Sequence, residues 1–181
     1  MNPTLKKYNH LCIPSFISHE HSLALFDDFF TLAQGDKLKS DKQAPNSPSI
    51  YNFEPFFRLL IEKTPTVSKI LGESVLPTYS YARIYANGER LARHRDRDAC
   101  EISVTLHLFG DYPWPIWFQR PDDTEVSITQ TPGDAAMYLG CIADHWRDAY
   151  KGKHYAQVFL HYVRAKGPKA YTYFDKKREQ N

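Results

Sequence analysis

The sequence predicts an α+β domain that is mainly β, a closed barrel or jelly roll preceded by helices. Three observations carry this. From Pro77 onward, short β-branched and aromatic runs alternate with turns: TYSYARIY, EISVTLHLF, PIWFQR, EVSITQ, DAAMYLG and HYAQVFLHYV. Ahead of them, two segments space their apolar residues as helices do. The 181 residues, 42% hydrophobic and 14% aromatic, suffice to bury one core.

The elements follow in order. In SFISHEHSLALFDDFFTLAQG, Ser18 is placed to cap a helix; Leu23, Phe26, Phe30 and Ala33 fall on one face, which should pack on a sheet, and Gly35 is the stop. The polar stretch KLKSDKQAPNSPS, with its two prolines, predicts a mobile loop. A second helix starts after Asn52 with Pro55 in its first turn and runs through FEPFFRLLIEK; TPTVSKILG adds a shorter one that Gly72 ends. The strands come next. With no internal repeat, no linker and a tail, GPKAYTYFDKKREQN, too short to fold alone, residues 1–181 read as a single domain. It is helical to about residue 75, has its β core over about 76–165, and ends in the short tail.

Charge and cysteine content exclude several function classes. Lys and Arg total 23 against 21 Asp and Glu, so a net charge of +2 gives no case for nucleic-acid binding. Cys12, Cys100 and Cys141 are odd in number and form no CxxC pair, which argues against a disulfide framework or a zinc knuckle and for a reducing compartment. The N-terminus MNPTLKKYNH has no apolar signal core and no apolar run is long enough to span a bilayer, so a soluble, cytoplasmic protein without a membrane partner is expected.

Chemistry concentrates in YARIYANGERLARHRDRD. In an extended segment alternate side chains share a face, so His94 and Asp96 point one way and Arg93, Arg95 and Arg97 the other. An imidazole and a carboxylate on one side are two ligands of a metal site, though a lone His-x-Asp is weak evidence. Downstream, TPGDAAMYLGCIADHW sets a turn and a strand before His145, where a closed β fold returns a second imidazole to the pair. Two histidines and one carboxylate on one face of a metal leave positions open, which suits iron(II) working on dioxygen; zinc is more often held in a closed tetrahedral site.

The run from Tyr81 to Val163 resembles the iron(II)- and 2-oxoglutarate-dependent oxygenases, in particular their prolyl-hydroxylase-like branch. The features are Tyr85, a Gly-containing turn, HRD, the strand EISVTLHL, the PGD turn before AAMYL, and His145 ahead of KHYAQVFLHYV. IPSFISHEHSLALFDDFF is similar to that family's opening strand and helix, so the resemblance covers most of the chain. It implies a double-stranded β-helix with N-terminal helices packed on the major sheet, and iron(II) held by His94, Asp96 and His145. It also implies a dioxygenase that decarboxylates 2-oxoglutarate to succinate and hydroxylates a C–H bond, with ascorbate as an accessory. The substrate would be a polypeptide side chain or a small metabolite. Asp96 disfavours halogenation, because related halogenases carry a small residue there.

The cosubstrate pocket departs from that pattern. The family usually places an Arg or Lys nine or ten residues after the distal histidine to grip the outer carboxylate of 2-oxoglutarate, and here that place falls on His154, with Lys153 beside it on the opposite face. Histidine lacks the permanent bidentate fork of arginine. Compensating groups are Arg83, which shares a face with Tyr81 and Tyr85, and His107, on the face of Ser103 and Thr105. Each also reads as an ordinary strand residue, as does His161. In a rival register His154 is the distal ligand and Arg164 the cation. Arg90, Arg93, Arg95, Arg97, Arg147 and Lys151 are expected around the mouth, and Trp114 and Trp117 as barrel filling or a substrate wall. A cupin-like metal protein that does not use 2-oxoglutarate and a catalytically silent binding module stay open as alternatives.

Overall fold

The computed structural model describes residues 1–35 and 38–174. A short helix, α1 (Pro3–Tyr8), leads into strand β1 (His10–Ile13), and α2 (His19–Ala33) follows. Ser18 caps α2 by accepting the His21 amide at 3.1 Å. The buried stripe of α2 is Ser22, Leu25, Phe26 and Phe29; Leu23, Phe30 and Ala33 flank it half-buried. The expected face was therefore turned by about one residue. Helical spacing alone fixes a stripe only to within its neighbours.

Lys37, the first residue of the expected loop, lies outside the described residues; from there on the stretch holds a hairpin, β2 (Lys39–Asp41) and β3 (Ala44–Tyr51). Its two prolines, Pro45 and Pro48, avoid the registered pairs, which run through Lys39, Asp41, Ala44 and Ser49 to Tyr51. At such positions proline costs no ladder bond and holds the residue before it extended. The Asn46 amide donates to Glu89 at 2.7 Å, fastening the hairpin to the barrel.

Helix α3 (Glu54–Leu71) runs unbroken through Pro65, correcting the expected division into two helices. Pro65 lies on the exposed side, where water can meet the carbonyl left without a donor. Gly72 ends it at φ 81°, a left-handed conformation that glycine adopts without steric cost.

The remaining strands are β4 (Val75–Ala86), β5 (Leu91–His94), β6 (Ile102–Gly110), β7 (Ile116–Gln119), β8 (Glu125–Ile128), β9 (Ala135–Tyr138), β10 (His145–Arg147) and β11 (His154–Arg164). They form a seven-stranded sheet in the order β1-β9-β6-β11-β4-β3-β2 and a four-stranded sheet β5-β10-β7-β8. This is the predicted mainly β jelly roll. Helix α2 packs on β6, and α3 on β4 and β11, so the helices cover the outer face of the larger sheet.

Strand alternation divides the interior in two. On β6, Val104, Leu106 and Leu108 join the apolar core under the helices, while Ser103, Thr105 and His107 turn into the barrel. On β11, Ala156, Val158, Leu160 and Tyr162 belong to the helix side; Tyr155, Gln157, Phe159 and His161 face inward. The barrel is thus lined by polar and aromatic side chains, and stability rests on the helix–sheet layer. Tyr162 donates to the Leu60 carbonyl at 2.9 Å and ties the two together. No helix among the described residues is long and apolar enough to cross a membrane.

Phe29 is fully buried and meets Phe56 edge-on at 5.5 Å between the helices. Phe29→Ala is expected to cost about 3–5 kcal/mol of stability, read as a lower urea midpoint at unchanged slope. A loss below about 1 kcal/mol would show that this layer does not hold the fold.

Candidate metal centre

His94 ends β5, His145 begins β10, and the two strands pair antiparallel with these residues opposite each other. His94 Nδ1 lies 2.7 Å from the Ala92 carbonyl and His145 Nδ1 3.0 Å from the Ala143 carbonyl. A carbonyl only accepts, so each Nδ1 carries a proton and each Nε2 is left to face the site. Both Nε2 atoms lie 3.6 Å from Asp96 Oδ1. The ligand atoms of all three residues fall within 4.8 Å of one another. The predicted trio is thus brought together.

Asp96 is positioned from three sides. Its amide donates to the Gly140 carbonyl at 2.8 Å, and its Oδ2 accepts from the Ser103 hydroxyl at 2.8 Å. Gly140 has no room for a side chain: a Cβ there would collide with the Cys100 carbonyl and lie 2.5 Å from Asp96 Oδ2. Burial pushes the Asp96 carboxyl up, but the His94 hydrogen bond and the imidazoles of His145 and His161 outweigh it and hold the group at about 2. Burial lowers His145, whereas at His94 the bond to Asp96 prevails over burial and raises it. With no cation present, the carboxylate is ionised and favours a proton on His94 Nε2; once a metal displaces that proton, two imidazole lone pairs and one full negative charge converge on one point. That arrangement is repulsive without a cation to fill it, so the residues fit a metal.

A second grouping shares the carboxylate: Asp96, Cys100 and His161. Here the neighbours are already spoken for. His161 Nδ1 is 3.0 Å from Ser103 Oγ, Cys100 Sγ is 3.0 Å from the Tyr79 hydroxyl, and burial drives the Cys100 thiol upward, away from the thiolate a metal needs.

The triad opens on a cavity of about 580 Å³ walled by Tyr51, Tyr79, Tyr81, Tyr85 and Phe159, with Arg83 and His161 among its polar groups. Arg83 is 1% exposed and donates to the hydroxyls of Tyr81 and Tyr85 at 3.0 and 3.1 Å. Asp41 of the hairpin forms an ion pair with it and also accepts from Tyr81 at 2.6 Å. Arg83 and Tyr85 therefore share the triad's cavity, as the sequence suggested.

The other two expected cosubstrate residues sit elsewhere. His154 is exposed on the helix side of β11, edge-on to Phe30 at 5.5 Å. Its inward neighbour is Tyr155. His107 does face the barrel interior, stacked on Tyr155 at 4.3 Å, but it does not line the cavity; burial and the charge of Arg147 push it down to about 4, so it is neutral. The rival register fails too: Arg164 is bound to Glu101 and Glu73. Of the cations expected at the mouth, Arg93 and Arg95 are exposed and paired with Glu125 and Asp144 but do not line the cavity, and Arg147 is 2% exposed inside the barrel. Trp114 is interior filling against Tyr85, while Trp117 stacks outside on Trp146. Ser103, Gly140, Asp41 and the inward turn of Arg147 were missed. Alternation from His145 along HWR would have revealed only the last.

The fold and the site together define a double-stranded β-helix carrying a His/Asp/His group. No protein-family model matches the sequence, and no curated protein matches it. Solved structures do. A prolyl-4-hydroxylase from Pseudomonas putida aligns at TM-score 0.73 and 14% identity over 89% of this chain and 95% of that one. The non-heme α-ketoglutarate-dependent epimerase SnoN from nogalamycin biosynthesis aligns at 0.76 and 10% identity over 98% and 86%. EctD from S. alaskensis aligns at 0.73 and 14% identity over 90% and 75%. At such identities these likenesses establish the fold: this chain has the double-stranded β-helix of the 2-oxoglutarate oxygenases.

Gly140→Ala is expected to lower iron(II) affinity about tenfold or more, because the new methyl displaces Asp96, while the far-ultraviolet circular dichroism stays native. Unchanged affinity in a folded variant would show that Gly140 does not set the carboxylate.

Proposed function

We propose that the protein is a non-heme iron(II)- and 2-oxoglutarate-dependent dioxygenase that hydroxylates a C–H bond, with His94, Asp96 and His145 holding the metal. The observation that carries this is the convergence of two imidazole Nε2 atoms and one low-pKa carboxylate at the wall of the aromatic cavity. Support comes from the fold, shared with a prolyl-4-hydroxylase and with SnoN, whose complex contains iron and α-ketoglutarate.

When bound, iron and 2-oxoglutarate supply oxidative decarboxylation coupled to insertion of oxygen into the substrate. The chain's own residues do the rest. The Ala92 and Ala143 carbonyls fix both imidazoles with Nε2 inward, and Ser103 and Gly140 fix the carboxylate. A metal held by His94, Asp96 and His145 would sit at the wall of the cavity that these residues line, where cosubstrate, dioxygen and substrate would have room to bind. Asp96 fills the position that would otherwise receive a halide, which favours hydroxylation. The tyrosine-rich wall offers stacking and hydroxyl contacts to a polypeptide side chain or small metabolite.

The test is succinate formation. With iron(II), ascorbate, oxygen and 2-oxoglutarate, the protein is expected to form succinate slowly without its substrate. His94→Ala, Asp96→Ala and His145→Ala should each lose both stoichiometric iron binding and succinate. Iron binding without any turnover of 2-oxoglutarate would favour a cupin-like metal protein, and no metal binding a silent binding module.

A further inference from the structure

Two arginines are buried among the described residues, and their charges are treated differently. Arg83 has its carboxylate, Asp41. Arg147 has none: its guanidinium donates to the Trp114 carbonyl and, at 3.2 Å, to Gln130 Oε1, both neutral, and lies 4.9 and 5.1 Å over the rings of Trp114 and Tyr155. Ring faces and neutral acceptors offset only part of the cost of taking a guanidinium out of water. Nearby, three more buried polar atoms lack partners: Tyr155 Oη, Gln157 Oε1 and His107 Nε2. Gln157 shares the Gln130 acceptor with Arg147, and His107 stacks on Tyr155, so all belong to one patch of the barrel interior. An unpaired cation beside an unpaired hydroxyl, both sealed from solvent, is a site built for an anion.

The position of this patch says which anion. Arg147 follows His145 by two residues on β10 with Trp146 turned outward, so both side chains enter the barrel, about 6.6 Å apart along the strand. That step makes Arg147 the next inward side chain after the metal ligand His145, on the side of the barrel where a keto acid chelated at the metal would extend. Tyr85 and Phe159, which line the cavity, pack in one cluster with Trp114 and Tyr155, the rings beneath the guanidinium. Tyr85 and Phe159 thus connect the cavity wall to the rings around Arg147, which does not itself line the cavity.

We infer that Arg147, assisted by the Tyr155 hydroxyl, binds the outer carboxylate of the keto-acid cosubstrate, and that Arg83 does not. The inference rests on the reading of the site as one for iron and 2-oxoglutarate. The charge comes from the smaller sheet, two residues past the metal ligand, which is why the last strand carries none in the barrel: its inward residue there is Tyr155, and the guanidinium lies over that ring.

The experiment is an anaerobic titration of the iron(II)-loaded protein, following the visible charge-transfer band of a chelated keto acid, with 2-oxoglutarate and with 2-oxopentanoate, which lacks the outer carboxylate. The parent should bind 2-oxoglutarate about tenfold or more tightly than 2-oxopentanoate. Arg147→Met should bring the two affinities within about twofold of each other by weakening 2-oxoglutarate alone, and Arg83→Gln should keep the parent's ratio. A ratio that survives in Arg147→Met, or that collapses in Arg83→Gln, overturns the assignment. If Arg147→Met does not fold, judged by iron stoichiometry, Tyr155→Phe and Arg147→Lys replace it. Both should lower the ratio several-fold, and an unchanged ratio in both overturns the assignment as well. A parent that binds iron but gives no band with either keto acid refutes the underlying reading instead.

Discussion

The pairing of β5 with β10 is the constraint on which the site depends. It sets His94 directly opposite His145, and each imidazole is then turned by a carbonyl two residues earlier in its own segment. Asp96 lies just past the end of β5, and its amide bond to Gly140 bends the chain so that the carboxylate meets the two rings. A register slip of one residue would reverse every side chain on either strand and dissolve the group. The four-stranded sheet therefore has to be exact in register, though it contributes little to the apolar core.

The larger sheet performs the complementary task. Its outward residues bury against α2 and α3 and supply most of the hydrophobic stabilisation, at about 25 cal/mol per Å² of apolar surface. Its inward residues are thereby free to be polar. Arg83, His107, Gln157 and His161 are all buried in the barrel, a cost that only a well-packed outer layer can offset. The hairpin β2–β3 extends this sheet and brings Asp41 across the cavity to Arg83, so one wall of the cavity comes from a segment whose composition gave no hint of it.

Much of this was legible from residue order. Six strands, the cap at Ser18, the stop at Gly72 and the shared face of His94 and Asp96 follow from period-two alternation and turn chemistry, which are local; His145 joins them through the closed β fold that the order of motifs implies. What escaped was decided at a distance. The hairpin looked like a loop because its prolines and polar residues are allowed by an extended pairing that only β4 reveals. Pro65 looked like a helix boundary because its exposed setting depends on how α3 lies on the sheet. The spacing of His154 to His145 predicts a pocket residue, but alternation along β11 turns His154 outward and Tyr155 inward. Arg147 was grouped with surface arginines because charge predicts exposure; its burial reflects the strand phase set by His145.

The central claim is that a metal is held by His94, Asp96 and His145 and not by the neighbouring group of Asp96, Cys100 and His161. Crystals soaked anaerobically with iron(II) and measured at the iron absorption edge test it most directly. The account requires one anomalous peak within coordinating distance of both Nε2 atoms and an Asp96 carboxylate oxygen. A peak at Cys100 Sγ and His161, with His94 and His145 unligated, would contradict it.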